Sequence, residues 1–297
     1  MKKMFIMALA ACLMTACEKE IMSESTATTD GITVSDGSPV GKTKKFTFTL
    51  KGDFSSEWKT RGYLSADGKD LTDLWILDYM NGQLVQQLHQ TNNTTDDFGQ
   101  PVMNLAYGSH HVYFIASRGT GAVLDTDNHT ITFTKSLDTF YKDYEVTVVS
   151  TSNGNRAVTL DRVVTRLRLT FTDVVDANAA TINITPHTWY YAWDYVNGAP
   201  AGAATDQVVT LTIPDSEKGK TGLQVNLFGF STATEWTTDV AINSKTTGGD
   251  IIGSATITNV PFKANRISEL SGPLFGSEGA MTLSLNTSWE TAYEGTW

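Results

Sequence analysis

Residues 71–88 read LTDLWILDYMNGQLVQQL, with an apolar run on either side of Asn81-Gly82. Asn-Gly is the dipeptide that best tolerates positive φ at both central positions of a two-residue hairpin, whose twist matches that of the strands it joins. The stretch therefore predicts a β-hairpin, and its neighbours continue in the same style. In KKFTFTLKGDF (44–54), Phe46, Phe48 and Leu50 alternate with threonines, the period-two pattern of a half-buried strand. VMNLAYGSHHVYFIAS, HTITFTKSL and YEVTVVS follow, with turn residues at Gly99-Gln100-Pro101, Asp127-Asn128 and Asn153-Gly154. The second half repeats the style in VVTRLRLTFTDV, ATINITPHTWYYAWDYVNG, DQVVTLTIPD, LQVNLFGFST, DIIGSATITNVPF and MTLSLNTSW. Long helical patterns are missing; the short candidates lie near Thr72–Leu77 and Ser136–Tyr141. Many short strands with Thr-rich faces argue for an all-β chain of antiparallel β-sandwiches. A polar segment, TSNGNRAVTLDR (151–162), precedes a fresh alternation at Arg166-Leu167-Arg168-Leu169. It sets the expected boundary between an N-terminal β-sandwich at 43–156 and a C-terminal one at 157–297. No short fixed repeat argues for a solenoid or propeller.

The first sixteen residues are of a different kind. Lys2 and Lys3 precede an apolar run from Met4 to Met14, and Thr15-Ala16 is a small-residue cleavage site, the layout of a secretion signal. Glu18 and Lys19 end the run well short of the roughly 20 apolar residues a membrane span needs. The chain's two cysteines, Cys12 and Cys17, both fall here. Met14-Thr15-Ala16-Cys17 resembles a bacterial lipobox, with Met14 where Leu is usual. The resemblance implies cleavage between Ala16 and Cys17 and acyl chains, palmitate among them, on the Cys17 sulfur. Two or more such chains anchor stably where one does not. Residues 17–42, rich in Ser, Thr, Gly and Asp, read as a flexible tether.

Without residues 1–16 the chain carries 20 Lys and Arg against 32 Asp and Glu, a net charge of −12. Such a surface repels phosphates, so nucleic acid is not an expected partner. Beyond Cys17 there is no further cysteine, which leaves neither a disulfide framework nor a cysteine zinc site. His110 and His111 are adjacent and point to opposite faces of a strand, one packed and one solvated, so they do not share a metal. Asp125-Thr126-Asp127-Asn128 begins like a calcium loop but has Thr130 where Gly is needed and Ser136 where Glu is needed, and reads as a turn. No nucleophile elbow, zinc-protease motif or phosphate loop is present, and neither a cofactor nor catalysis is expected. One cluster pulls elsewhere. In Trp189-Tyr190-Tyr191-Ala192-Trp193 one set of rings, Trp189, Tyr191 and Trp193, shares a strand face. Exposed, it would contact a partner protein or stack on sugars; otherwise it fills the core.

FTFTLKGDF, LTDLWILDYMNGQLVQQLHQ, DFGQPVMNLAYGSHHVYFIASRG and LDRVVTRLRLTF together resemble the fimbrillin superfamily, lipoprotein pilus subunits and adhesins of Bacteroides-type bacteria, and its anchor or accessory members most. The resemblance implies two tandem transthyretin-like, Greek-key β-sandwiches on a surface-exposed outer-membrane lipoprotein. It implies a role in pilus assembly and cell adhesion, with other fimbrial subunits as partners through donor-strand complementation. In polymerising members a protease cuts after an arginine and removes the first strand. Arg61, in KTRGYLS, falls between the first strand and the next, where it is either such a processing site or a solvated loop arginine. Anchors keep that strand; here it would be buried by Trp75, Leu77 or similar neighbours, whereas a shaft subunit would shed it and donate MTLSLNTSW. The alternative is a glycan-binding surface lipoprotein of a polysaccharide uptake system, for which the Trp189–Tyr195 aromatics are the contact.

Overall fold

The Asn81-Gly82 turn forms as read, with φ of 52° and 76° and Met80 opposite Gln83. In the computed structural model, residues 41–52, 71–92, 98–276 and 282–286 are described. The signal, Ala16, Cys17, all but the last two tether residues, Arg61, Trp289 and Trp297 lie outside them. The first half contains β1 (Thr43–Lys51), β2 (Asp73–Met80), β3 (Gln83–Thr91), β4 (Val102–Ala106), β5 (Gly108–Ser117), β6 (Thr120–Asp125), β7 (Thr130–Lys135), β8 (Thr139–Val148) and β9 (Asn155–Thr159). There follow β10 (Asp161–Arg162), β11 (Val164–Phe171), β12 (Ala179–Pro186), β13 (Thr188–Asp194), β14 (Ala199–Thr205), β15 (Val209–Thr212), β16 (Leu223–Phe230), β17 (Trp236–Thr246), β18 (Ile251–Phe262), β19 (Ile267–Gly272) and β20 (Thr282–Asn286). The chain is all-β. The helical expectations at Thr72–Leu77 and Ser136–Tyr141 fail: the first is β2, and the second is a loop entering β8. Leucines at 71, 74 and 77 mimic a helical face, but β2 is paired on both edges, by β3 and β5, and both of its faces are covered.

Five sheets result. The order β4-β1-β9 lies over β10-β8-β5-β2-β3, and β16-β11-β19-β20 over β15-β12-β17-β18. The two halves thus repeat one connectivity: the leading strand of each, β1 or β11, is antiparallel to one neighbour and parallel to the other. The fifth sheet, β14-β13-β7-β6, takes one hairpin from either side of residue 156, with Trp193 opposite Ile131 at its centre.

Three cores follow from strand alternation. Phe46, Phe48, Leu74, Ile76, Val112 and Phe114 fill the first sandwich. Leu167, Leu169, Ile182, Ile184, Val225 and Phe262 fill the second. The third contains the side chains on the opposite faces of β2 and β5, Leu77, Tyr79, Tyr113 and Ile115, which pack with Ile131, Trp193, Tyr195 and Phe230. Because β2 and β5 are buried on both faces, their sequences are nearly continuous apolar runs rather than alternations. Gly154 marks where backbones pass closely: a Cβ there would sit 2.3 Å from the Lys45 carbonyl oxygen.

Where the halves meet, one carboxylate serves two guanidiniums. Asp138 accepts from Arg118 Nη1 at 2.5 Å and from Arg162 Nε at 2.7 Å, and all three side chains are shielded from water. Both arginines also lie against the Phe140 ring, and Arg162 Nη1 donates to Asn265 Oδ1 at 2.8 Å. Removing the carboxylate takes a shared negative charge from two buried cations. Asp138→Ala is therefore expected to cost about 3–5 kcal/mol of stability, read as a lowered urea midpoint.

Candidate functional site

The feature that the fimbrial resemblance makes functional is the seat of the first strand. β1 lies between β4 and β9, with Phe46 opposite Met103 and Phe48 opposite Arg156. Backbone bonds extend the pairing: Thr47 N donates to Gly154 O at 2.8 Å and Phe48 N to Pro101 O at 3.0 Å. Phe46 and Phe48 are wholly buried, and Phe48 packs edge-on to Phe114 with ring centroids 5.1 Å apart. Burying each ring contributes about 1.5–3 kcal/mol. The expected cover of Trp75 and Leu77 is corrected. Side chains alternate along β2, so Leu74 and Ile76 face β1, while Trp75 and Leu77 point away into the third core. Where β1 ends, an apolar cavity of about 270 Å³ opens between Leu50, Leu71, Leu74 and Phe98.

The aromatic run occupies β13 but does not form an exposed face, which corrects the contact role expected of Trp189 and Trp193. Trp189 is fully buried; its Nε1 donates to Phe228 O at 3.1 Å, and its ring lies so close to Gly229 that a Cβ there would clash. Trp193, 2 % exposed, packs against Tyr141 and Phe230 in the third core. The strand crosses from one core to the other, so rings of one nominal face enter different cores. Tyr191 differs: it is half-buried and lines a separate cavity of about 510 Å³. Burial holds its phenol above the ordinary value. Sequence reasoning missed the partners in this cavity, Ser136 and Asn226, because neither belongs to a motif.

Beside Trp193 four tyrosines form a tight group. The Tyr79 and Tyr195 hydroxyls lie 2.9 Å apart, and Tyr141 donates to Tyr195 O at 2.6 Å. Burial, then the charge of Asp143, pushes the Tyr113 phenol up to about 12. Burial raises those of Tyr141 and Tyr195 as well, so these three phenols carry no charge at neutral pH.

The two histidines take opposite faces. His111 is exposed, with Nδ1 3.1 Å from both Asp143 oxygens. Its ligand atom and those of Asp143 and Glu145 lie within 4.8 Å of one another, an arrangement common among exposed acidic groups with or without an ion. Asp125 forms a turn, its Oδ1 accepting from Asp127 N and Asn128 N. His110 is buried between two acceptors, Asp78 Oδ1 at 2.7 Å and Ala106 O at 2.9 Å. Both ring nitrogens can donate at once only in the imidazolium.

No protein-family model matches this chain, and no curated protein does. Among solved structures, a candidate polysaccharide-binding protein of Bacteroides thetaiotaomicron aligns at 10 % identity over 83 % of this chain and 98 % of its own, with a TM-score of 0.51. A candidate adhesin of Bacteroides ovatus aligns at 12 % identity over 82 % of this chain and 95 % of its own, at 0.47. A fimbrial assembly protein of Parabacteroides distasonis aligns at 10 % identity over 82 % and 99 %, also at 0.47. The likeness is one of fold alone.

Burial opposes the charged form of His110, yet the hydrogen bond and charge of Asp78 and the Ala106 bond outweigh it and raise the imidazole above its ordinary 6.5. The stability this pair contributes is full below the ordinary value and lost as pH rises through the folded one. The His110 ring resonance in NMR is expected to titrate above 6.5, and Asp78→Asn to bring it below that value, since burial then acts with less opposition.

Proposed function

We propose that this chain is a non-catalytic, lipid-anchored protein of the outer-membrane surface, a fimbrial anchor or accessory subunit engaged in pilus assembly and cell adhesion. The observation that carries this reading is the seat of β1, filled by the chain's own Phe46 and Phe48. A sandwich that lost such a strand would expose an apolar groove and a row of unpaired backbone groups, a template for a strand from another subunit. Here the strand a shaft subunit would donate is also engaged at home: β20 pairs antiparallel with β19, Leu270 opposite Leu283. A chain whose acceptor groove and donor strand are both self-satisfied suits the base or side of a fibre. Its partners are then other fimbrial subunits, and acyl chains on Cys17 tether it to the membrane through residues 17–42. No helix among the described residues is long and apolar enough to cross a membrane.

Mass spectrometry of the form isolated from cells tests the proposal. The expected N-terminus is Cys17 bearing diacylglycerol on an otherwise intact chain. A free N-terminus at Gly62, after cleavage at Arg61, would make the chain a shaft subunit instead, and an unmodified Cys17 would remove the anchor.

A further inference from the structure

The cavity beside Tyr191 has a composition that a merely imperfect core does not explain. It lies between the outer side of β16, the segment leaving β7, and strands β13 to β15, and has a volume of about 510 Å³. Asn226, 5 % exposed, comes from β16, Tyr191 from β13 and Ser136 from the turn after β7. The hydroxyls of Ser136 and Tyr191 and both amide atoms of Asn226 are out of reach of water and have no hydrogen-bond partner. Leaving a buried polar group unsatisfied costs about 1–3 kcal/mol, and native proteins bear few such groups without a reason. Here four such atoms belong to residues lining one cavity.

The lining restricts what could satisfy them. Lys135 is its one charged residue and already takes part in an interaction of its own, so an anionic ligand meets at most one cation and a cationic ligand meets no carboxylate. An apolar ligand would leave all four atoms unpaired. The amide both donates and accepts, and so does each hydroxyl, which matches a ligand whose groups do both: alcohols on neighbouring carbons. Leu211 and Phe228 supply apolar wall for the C–H face of a ring. The volume falls within the range of small-molecule sites and holds roughly one to two sugar rings.

We propose that this cavity binds a neutral pyranose unit of a saccharide, with its hydroxyls bonded to Asn226, Tyr191 and Ser136 and its apolar face against Leu211 and Phe228. Tyr191 then acts through its hydroxyl within a cavity rather than as one of a row of exposed stacking rings. Entry needs the wall side chains to turn aside and uncover the four atoms. The proposal does not rest on the fimbrial reading, since an anchor subunit and an unanchored protein would bind the sugar alike.

Saturation-transfer NMR and calorimetry on the purified chain test it, with glucose, galactose, mannose, N-acetylglucosamine and their β-linked disaccharides as probes and glucuronate as the charged control. At least one neutral sugar is expected to bind, with a Kd on the order of millimolar. Tyr191→Phe and Asn226→Leu should each weaken it by about three- to tenfold. Each should leave the melting temperature of the sugar-free chain unchanged or raised, because it deletes a polar group that had no partner. Should Asn226→Leu fail to fold, Tyr191→Phe, which removes one oxygen atom, decides alone. The proposal is overturned if no neutral sugar in the panel binds, if glucuronate binds better, or if binding survives the variants undiminished.

Discussion

Asp138 is one carboxylate between two arginines in a region closed to water, and the arrangement of the molecule follows from that constraint. Moving an ion from water into a protein interior costs several kcal/mol, which is offset only where the geometry is close and the remaining hydrogen bonds are made. Arg118 follows β5, Asp138 leads into β8, Arg162 lies in β10, and Asn265, which accepts from Arg162 Nη1, sits between β18 and β19. Four segments far apart in sequence are thereby held at one point. The Phe140 ring lies against both guanidinium groups.

Around that point the molecule uses both faces of its central strands. Leu74, Ile76, Val112 and Phe114 serve the first sandwich, and the alternate residues Leu77, Tyr79, Tyr113 and Ile115 serve the third core. The β13 aromatics are absorbed into the same scheme, Trp189 into the second sandwich and Trp193 into the third core. Tyrosine suits this position because its ring packs as an apolar group while its hydroxyl finds a partner, as Tyr79, Tyr141 and Tyr195 do. The aromatic run that looks from sequence like a contact surface is mostly what joins the two halves.

The fold shared with the solved Bacteroides thetaiotaomicron protein is a scaffold, and function on such a scaffold resides in particular sites. Two kinds of site stand out. One is backbone: the β1 seat and the β19–β20 pairing, where main-chain bonds hold this chain's own strands. The other is side chain: the Ser136, Tyr191 and Asn226 cavity, where polar atoms lack partners. They lie in different parts of the molecule and ask for different ligands, so the strand pairing and the sugar binding proposed above would not compete for one surface.

Local chemistry by itself determined much of this protein. The Asn81-Gly82 turn, the Phe46–Phe48 alternation, the all-β class and the opposed faces of His110 and His111 were all legible, because turn geometry and the period of two depend on residues close in sequence. The character of β2 was misread in part, because leucines at 71, 74 and 77 satisfy a helical spacing and only pairing with β3 and β5 excludes it. The Arg166–Leu169 alternation marks a strand, but that Arg166 on its polar side is 1 % exposed is not carried by the alternation. Tertiary structure alone decided that Asp138 meets Arg118 and Arg162, that β7 pairs with β13 across the midpoint of the chain, and that Asn226 and Ser136 join Tyr191 at a cavity. Those residues are 20 to 90 positions apart, and no periodicity carries information over such distances; only the packing of sheets against one another brings them together.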